Sequence, residues 1–213
     1  MPDYFSPNMD ILLKKNRSLA RSVRDTAPDD SFEILRTKSG HFTVRQHAKD
    51  GTYRFIHSRV NPEREARAWV DCQNLSERTI VILGLGLTYH VLPLLKRRKD
   101  WQQLYLIEAD ESLFRLALEV SDLSDIIGST AIRLLVGSDL RAIEQILPHD
   151  LQNPFSYHIF LPVTSLHPEF YQPVIRALEK HLYGIRLNGD DGRGENLSLA
   201  KGVQRLFHEM ISQ

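Results

Sequence analysis

Thr79-Ile80-Val81-Ile82-Leu83-Gly84-Leu85-Gly86-Leu87-Thr88-Tyr89-His90 is the stretch whose pattern decides the fold. Residues 79–83 form an unbroken apolar run, as expected for a central parallel strand covered on both faces. Gly84 and Gly86 follow at once. Glycine there lets backbone take positive φ and approach a ligand closely. A helix is expected behind the turn, running to about residue 98, and Pro93 makes it begin late or kink. Strand, turn and helix together give weight to a partial G-x-G-x-x-G, whose third glycine would fall at Tyr89. A tight packing turn with no ligand is the alternative.

Downstream, strands expected at 104–107, 132–136 and 158–161 alternate with helices at 111–120, 139–147 and 168–183. Such alternation implies a parallel sheet with right-handed crossovers. Upstream, residues 32–35, 41–46 and 53–57 read as a small antiparallel meander, with Asp50-Gly51 as a tight turn. Asn61, Pro62, Glu63 and Glu65 mark a capped helix start, and that helix runs to about Cys72. The fold class is therefore α/β: a Rossmann-like, methyltransferase-like parallel sheet with helices on both faces, plus a small N-terminal β meander and helix. Four segments are expected: a helical segment 1–30, the meander and helix 31–75, the Rossmann-like domain 76–188, and a loop and C-terminal helix 189–213.

Composition narrows the function classes. The chain has 213 residues, with 27 Lys plus Arg against 27 Asp plus Glu. A neutral balance gives no electrostatic reason to expect nucleic acid or an anionic membrane. The basic run Lys14, Lys15, Arg17, Arg21 and Arg24 is followed by Asp25, Asp29 and Asp30 and reads as a solvated helix face. No apolar run approaches the roughly 20 residues needed to span a bilayer. Cys72 is the single cysteine, which suits a reducing, cytoplasmic setting, and no signal peptide is evident. Cys72 itself is expected in the core. The nine histidines match no zinc spacing and are expected at the surface or half-buried.

Ligands of an open parallel sheet bind beyond the carboxyl ends of its strands. Gly84, Gly86 and Thr88 are expected near a phosphate or carboxylate, with Tyr89 beside them. Glu108 ends the second strand, 24 residues after Gly84, where an acid normally holds a ribose hydroxyl pair. Asp110 reads as a helix cap at the same mouth. Asp139 follows the third strand, either facing a base or capping a helix. Ser58, Arg59 and Asn61 border the mouth, Arg59 offering an anion fork. The turn 161–168 carries no carboxylate, and Ser165 with His167 forms no recognisable triad. A final helix at 197–211 either closes the domain or serves a partner protein or homo-oligomer.

Three stretches in order, residues 57–66 around Asn61-Pro62-Glu63-Arg64-Glu65-Ala66, residues 81–90 around the glycine turn, and Leu106-Ile107-Glu108-Ala109-Asp110, resemble the N-terminal domain of Maf-type motility accessory proteins. These are bacterial factors tied to flagellin glycosylation. That family shows a Ser-Lys-Tyr-like loop, a Pro-x-x-Glu-Ala helix, a G-x-G-x-G-Tyr-His turn and a Glu-Pro-Asp-like turn. Here Thr88 stands at the third glycine, and Arg59 and Val60 replace Lys and Tyr. The Gly-Pro-Ser signature of that family's sugar-transfer domain does not occur, so the resemblance implies a free-standing first module without transfer activity. The turn also resembles S-adenosylmethionine-dependent methyltransferases and spermidine synthases, although Ile82 stands where the former place an acid. A small molecule is the expected partner: a nucleotide, a nucleotide sugar or an S-adenosylmethionine-like ligand. A methyltransferase-like or aminopropyltransferase-like enzyme and a purely structural scaffold are the alternatives.

Overall fold

Asn16 splits the N-terminal helical stretch in two. Its side chain accepts from the Leu19 amide and caps the second helix, giving α1 (Phe5–Lys15) and α2 (Arg17–Asp25) where one helix was expected. This computed structural model describes residues 3–48, 50–97, 100–137, 143, 151 and 154–188, with residues 185–188 by backbone alone. The expected helices at 139–147 and 197–211 lie outside the described residues, apart from Ile143, which is buried.

The meander is β1 (Phe32–Arg36), β2 (Phe42–His47) and β3 (Tyr53–Phe55), antiparallel in that order. Its even-numbered residues Phe32, Ile34, Phe42 and Val44 turn one face to the core. Next comes α3 (Pro62–Asp71), capped by Asn61 with Pro62 in its first turn. Cys72 ends this helix and is exposed, not core: its neighbour Val70 is the residue that turns inward.

The second sheet contains β4 (Thr79–Leu83), β5 (Gln103–Glu108), β6 (Ile132–Val136) and β7 (Phe155–Ile159), in spatial order β6-β5-β4-β7 and parallel throughout. The chain starts in the centre, steps outward twice, then crosses back to the other side of β4. That reversal creates a crevice between the carboxyl ends of β4 and β7. The connecting helices are α4 (Val91–Arg97), α5 (Glu111–Val120), α6 (Ser124–Gly128), α7 (Leu161–Thr164) and α8 (Pro168–Asn188). The short α6 has no counterpart in the sequence reading. β7 lies earlier than the sequence suggested, because Pro162 in the first turn of α7 commits residues 160–164 to turn and helix.

Period-two alternation divides the sheet's burial between two cores. Ile80, Ile82, Leu104 and Leu106 join Met9, Val44, Ile56 and Ala66 in one cluster, so the meander and N-terminal helices share a core with the sheet. Val81, Leu83, Tyr105 and Ile107 face Tyr171, Val174 and Leu178 of α8 on the other side. Asn8, itself buried, fastens α1 to the end of α5. Its amide nitrogen donates to the Leu118 and Ser121 carbonyls at 2.9 and 2.8 Å, and its oxygen accepts from the Leu123 amide. These bonds satisfy carbonyls that a helix end leaves open.

Candidate functional site

The turn after β4 carries three positive φ angles at alternate positions: Gly84 at 83°, Gly86 at 52° and Thr88 at 63°. Such alternation aims successive backbone N–H groups into one concavity, the geometry that elsewhere holds phosphate or carboxylate. A β-branched residue at positive φ is a genuine outlier, so the surroundings of Thr88 must over-determine it.

The anion expected at this concavity is supplied by the chain itself. Glu108 is 0% exposed. Its Oε2 accepts from the Leu85 amide at 2.8 Å and the Gly86 amide at 3.1 Å. Its Oε1 accepts from the Asp110 amide at 3.2 Å and the Tyr171 hydroxyl at 3.0 Å. The Ala109 amide donates to that same hydroxyl. Glu108 therefore faces inward onto the turn with both oxygens engaged, which leaves it no oxygen directed outward to a ribose. Burial raises its pKa, against the opposing pull of these donors.

A second acceptor covers the next amide. Leu87 N–H donates to His57 Nε2 at 2.9 Å. That bond fixes the tautomer: the proton sits on Nδ1, 3.7 Å from Glu65 Oε2. Burial pushes His57 below its ordinary pKa, keeping the ring neutral and Nε2 free to accept. The fit is close, since a Cβ at Gly86 would lie 2.6 Å from His57 Nε2 and 2.9 Å from Ile56. A Cβ at Gly84 would lie 3.0 Å from both Val163 and Thr164. The crevice between β4 and β7 is thus filled at this level by α7 and by His57.

Aromatic rings complete the filling. Phe160 is stacked on His57 at 5.2 Å and on His90 at 4.4 Å between centroids, and Trp69 meets His90 edge-on at 4.9 Å. His90 Nε2 donates to the Gly84 carbonyl at 3.1 Å, and burial lowers the ring's pKa to about 3. Tyr89 leaves the turn in the other direction. Its hydroxyl donates to the Phe42 carbonyl and accepts from the Phe42 amide, tying the turn to β2. Thr88 Oγ1, His90 Nδ1 and Thr164 Oγ1 are buried without a hydrogen-bond partner among the described residues.

Closer to the surface the arrangement is more open. Asp110 caps α5, its Oδ1 accepting from the Ser112 and Leu113 amides, as the sequence indicated. Its Oδ2 stands 3.2 Å from His167 Nε2, and His167 Nδ1 stands 3.5 Å from Glu169. Burial alone would raise the Asp110 pKa, but the His167 contact and the two amides outweigh it and hold the carboxyl below its usual range. The Asp110 contact raises His167.

The structure thus brings Gly84, Gly86, Thr88, Tyr89 and Glu108 together, with Asp110 close behind. Ser58, Arg59 and Asn61 do local work instead. Ser58 Oγ accepts from the Val60 and Asn61 amides, Asn61 caps α3, and Arg59 lies over the Phe55 ring at 4.9 Å. Asp139 lies outside the described residues. Sequence reasoning missed His57, His90, His158, Phe160, His167 and Tyr171. His57, His90 and His158 are buried, not superficial, because each ring finds an internal polar partner. The position of His57 beside Ser58 in the family-like loop was the one available signal. Among the described residues, no group of three or more His, Cys, Asp or Glu is placed to hold a metal ion, and no helix is long and apolar enough to cross a membrane.

Comparisons with known proteins agree with this architecture. A glycosyltransferase Maf from Magnetospirillum magneticum AMB-1 superimposes with a TM-score of 0.57 at 12% identity, over 82% of this chain and 35% of that one. At that identity the likeness shows the fold, and the chain spans about a third of that protein's length. No curated protein matches the sequence significantly. The model of the glycosyltransferase Maf N-terminal domain matches residues 52–184, from the last strand of the meander into α8. With more than half its length so matched, the chain belongs to the glycosyltransferase Maf N-terminal domain family.

Proposed function

We propose that this chain is a non-catalytic scaffolding module of the Maf type, serving flagellin glycosylation in the cytoplasm, with its Rossmann turn closed by its own side chains. The observation that carries this reading is Glu108, whose Oε2 meets the Leu85 and Gly86 amides at 2.8 and 3.1 Å. A phosphate or carboxylate ligand would have to displace a buried carboxylate already paired with four donors. The exposed lone Cys72 fits a reducing compartment.

A thermal-shift screen tests it, using S-adenosylmethionine, S-adenosylhomocysteine, NAD and nucleotide sugars. At about 1 mM, a ligand of about 10 µM Kd adds about 2.7 kcal/mol to stability by mass action, a shift of several degrees. The scaffold reading expects no shift from any of them. A second reading, a nucleotide-binding module, draws on three buried unpartnered polar atoms beside the turn, Thr88 Oγ1, His90 Nδ1 and Thr164 Oγ1. A shift with NAD or a nucleotide sugar selects that reading. A shift with S-adenosylhomocysteine alone selects a methyltransferase-like one.

A further inference from the structure

Arg17, Arg21 and Arg24 stand at positions i, i+4 and i+7 of α2 and fall within one narrow arc of the helix. Leu19, Ala20 and Val23 form the adjoining buried face, with Ala20 one turn from Arg24. At 1.5 Å per residue the arginine stripe is about 10 Å long. Lys14 and Lys15, in the last turn of α1, precede it in the chain just before Asn16. All five cations are exposed, and no acid lies between Asp10 and Asp25.

The surrounding acids do not neutralise this stripe. Among the described residues, none of the five cations makes an ion pair. Of the acids that follow the run, Asp29 accepts from the Ser31 amide. Four arginines elsewhere are ion-paired, Arg45 with Glu33, Arg67 with Glu63, Arg97 with Asp71 and Arg115 with Glu119, and Arg36 and Arg59 lie over aromatic rings. Like charges at i, i+4 are mildly destabilising. Residues 10–25 hold five cations against Asp10 and Asp25, a local excess of positive charge in a chain that is neutral overall.

We propose that the Lys14–Arg24 stripe is a docking surface for an acidic polypeptide segment of a partner protein. A membrane fits it less well, because a helix lying on lipid needs a free apolar face, and that of α2 is spent on the core. Nucleic acid fits it less well too, because the chain is neutral overall and no aromatic residue for base stacking lies between Lys14 and Arg24. Arginine forks instead match carboxylates spaced one helical turn apart. The stripe lies outside residues 52–184, which the Maf family model matches, so it stands or falls apart from the closed turn.

The test is fluorescence anisotropy of a labelled, glutamate-rich synthetic peptide against the full chain, at about 50 mM and then about 300 mM salt. The triple variant R17Q/R21Q/R24Q is compared with K38Q/R64Q/K180Q, which removes the same charge from exposed sites elsewhere. Circular dichroism checks that both stay folded. We expect salt-sensitive binding by the wild type, a Kd at least tenfold weaker for the stripe variant, and little change for the control. Equal losses in the two variants would reduce the effect to net charge and overturn the proposal. So would failure of the wild type to bind at low salt, or tighter binding to phosphatidylserine vesicles or duplex DNA than to the peptide.

Discussion

Glu108 and Asp110 are two residues apart at the end of β5, yet they belong to different regimes. Glu108 lies in a seam under the glycine turn where every neighbour is protein: two turn amides, the Asp110 amide and the Tyr171 hydroxyl. Asp110 lies at the rim, facing a partly exposed His167. Burial lifts the pKa of the first, while hydrogen bonds hold down that of the second. The difference shows where a Rossmann turn can be filled from within. The seam supplies the anion and the acceptor that a ligand would otherwise bring, and the rim keeps groups still in touch with water.

Removing the seam's anion gives the largest effect. Glu108→Ala strands the Leu85, Gly86 and Asp110 amides and the Tyr171 hydroxyl in the interior. Unsatisfied buried donors cost about 1–3 kcal/mol each, partly relieved by water entering the gap, so a loss of about 3–5 kcal/mol is expected. Urea unfolding measures it. Glu108→Gln is also expected to destabilise, because its amide NH2 would face a pair of donors. An unchanged midpoint in Glu108→Ala would mean that the seam does not hold the turn, and the contrast with the rim would collapse.

Gly86→Ala tests the other wall of the seam. The new methyl would lie 2.6 Å from His57 Nε2, at a φ of 52° that side chains seldom adopt. Overpacking and backbone strain together predict a loss of about 2–3 kcal/mol. Glycine at the tip of the Asp50-Gly51 turn is a fair control, since a Cβ there meets nothing within 4 Å despite a φ of 83°. Gly51→Ala is expected to cost about 1 kcal/mol from backbone strain alone.

How much of this was legible follows the same divide. β4, α5 and β6 lie where the sequence placed them, because continuous apolar runs and an Asp cap specify strand and helix locally. The proximity of the Gly84 turn to Glu108 was also readable, since a strand end 24 residues on is adjacent in this topology. The direction in which Glu108 points was not. It depends on Tyr171, 63 residues away, and on α7, which closes the crevice. His57 was hidden for a similar reason. It follows a three-residue edge strand and has no periodic partner, so nothing local marks it as the acceptor for Leu87. The N-terminal helices were seen as one because Asn16, a cap in three dimensions, carries no helix-breaking signal as strong as proline.

Acid titration compares seam and rim without mutation. Burial lowers the pKa of His57, His90 and His158, the last to about 4 and His90 to about 3. A histidine depressed in the fold is still neutral when its unfolded counterpart has taken a proton. Its contribution is present above about pH 6.5 and is lost as pH falls towards the folded value, at about 1.4 kcal/mol per pH unit. Glu108, raised in the fold, acts with the opposite sign, its contribution being largest at low pH. The unfolding free energy is therefore expected to fall steeply between pH 6.5 and 4.5, before most carboxylates titrate. His158→Gln, which keeps a polar group between Ser156 and Gln73, should remove about one proton from that slope. A slope unchanged by the substitution would place His158 in contact with water.

The rim yields the smallest effect, with a different pH signature. His167 is raised by Asp110, so its contribution is full below about pH 6.5 and fades as pH rises through its elevated folded pKa. Asp110 is lowered, so its contribution exists above about pH 4 and fades as pH falls through its own depressed value. Both are present only between those limits. His167→Gln is thus expected to cost about 0.2–1 kcal/mol at pH 5–6, as partly exposed ion pairs do, and less once His167 is deprotonated. Unfolding at matched ionic strength across pH 5 to 9 reads this directly. A cost independent of pH would make His167 a packing residue, and a cost as large as that of Glu108→Ala would erase the distinction between seam and rim.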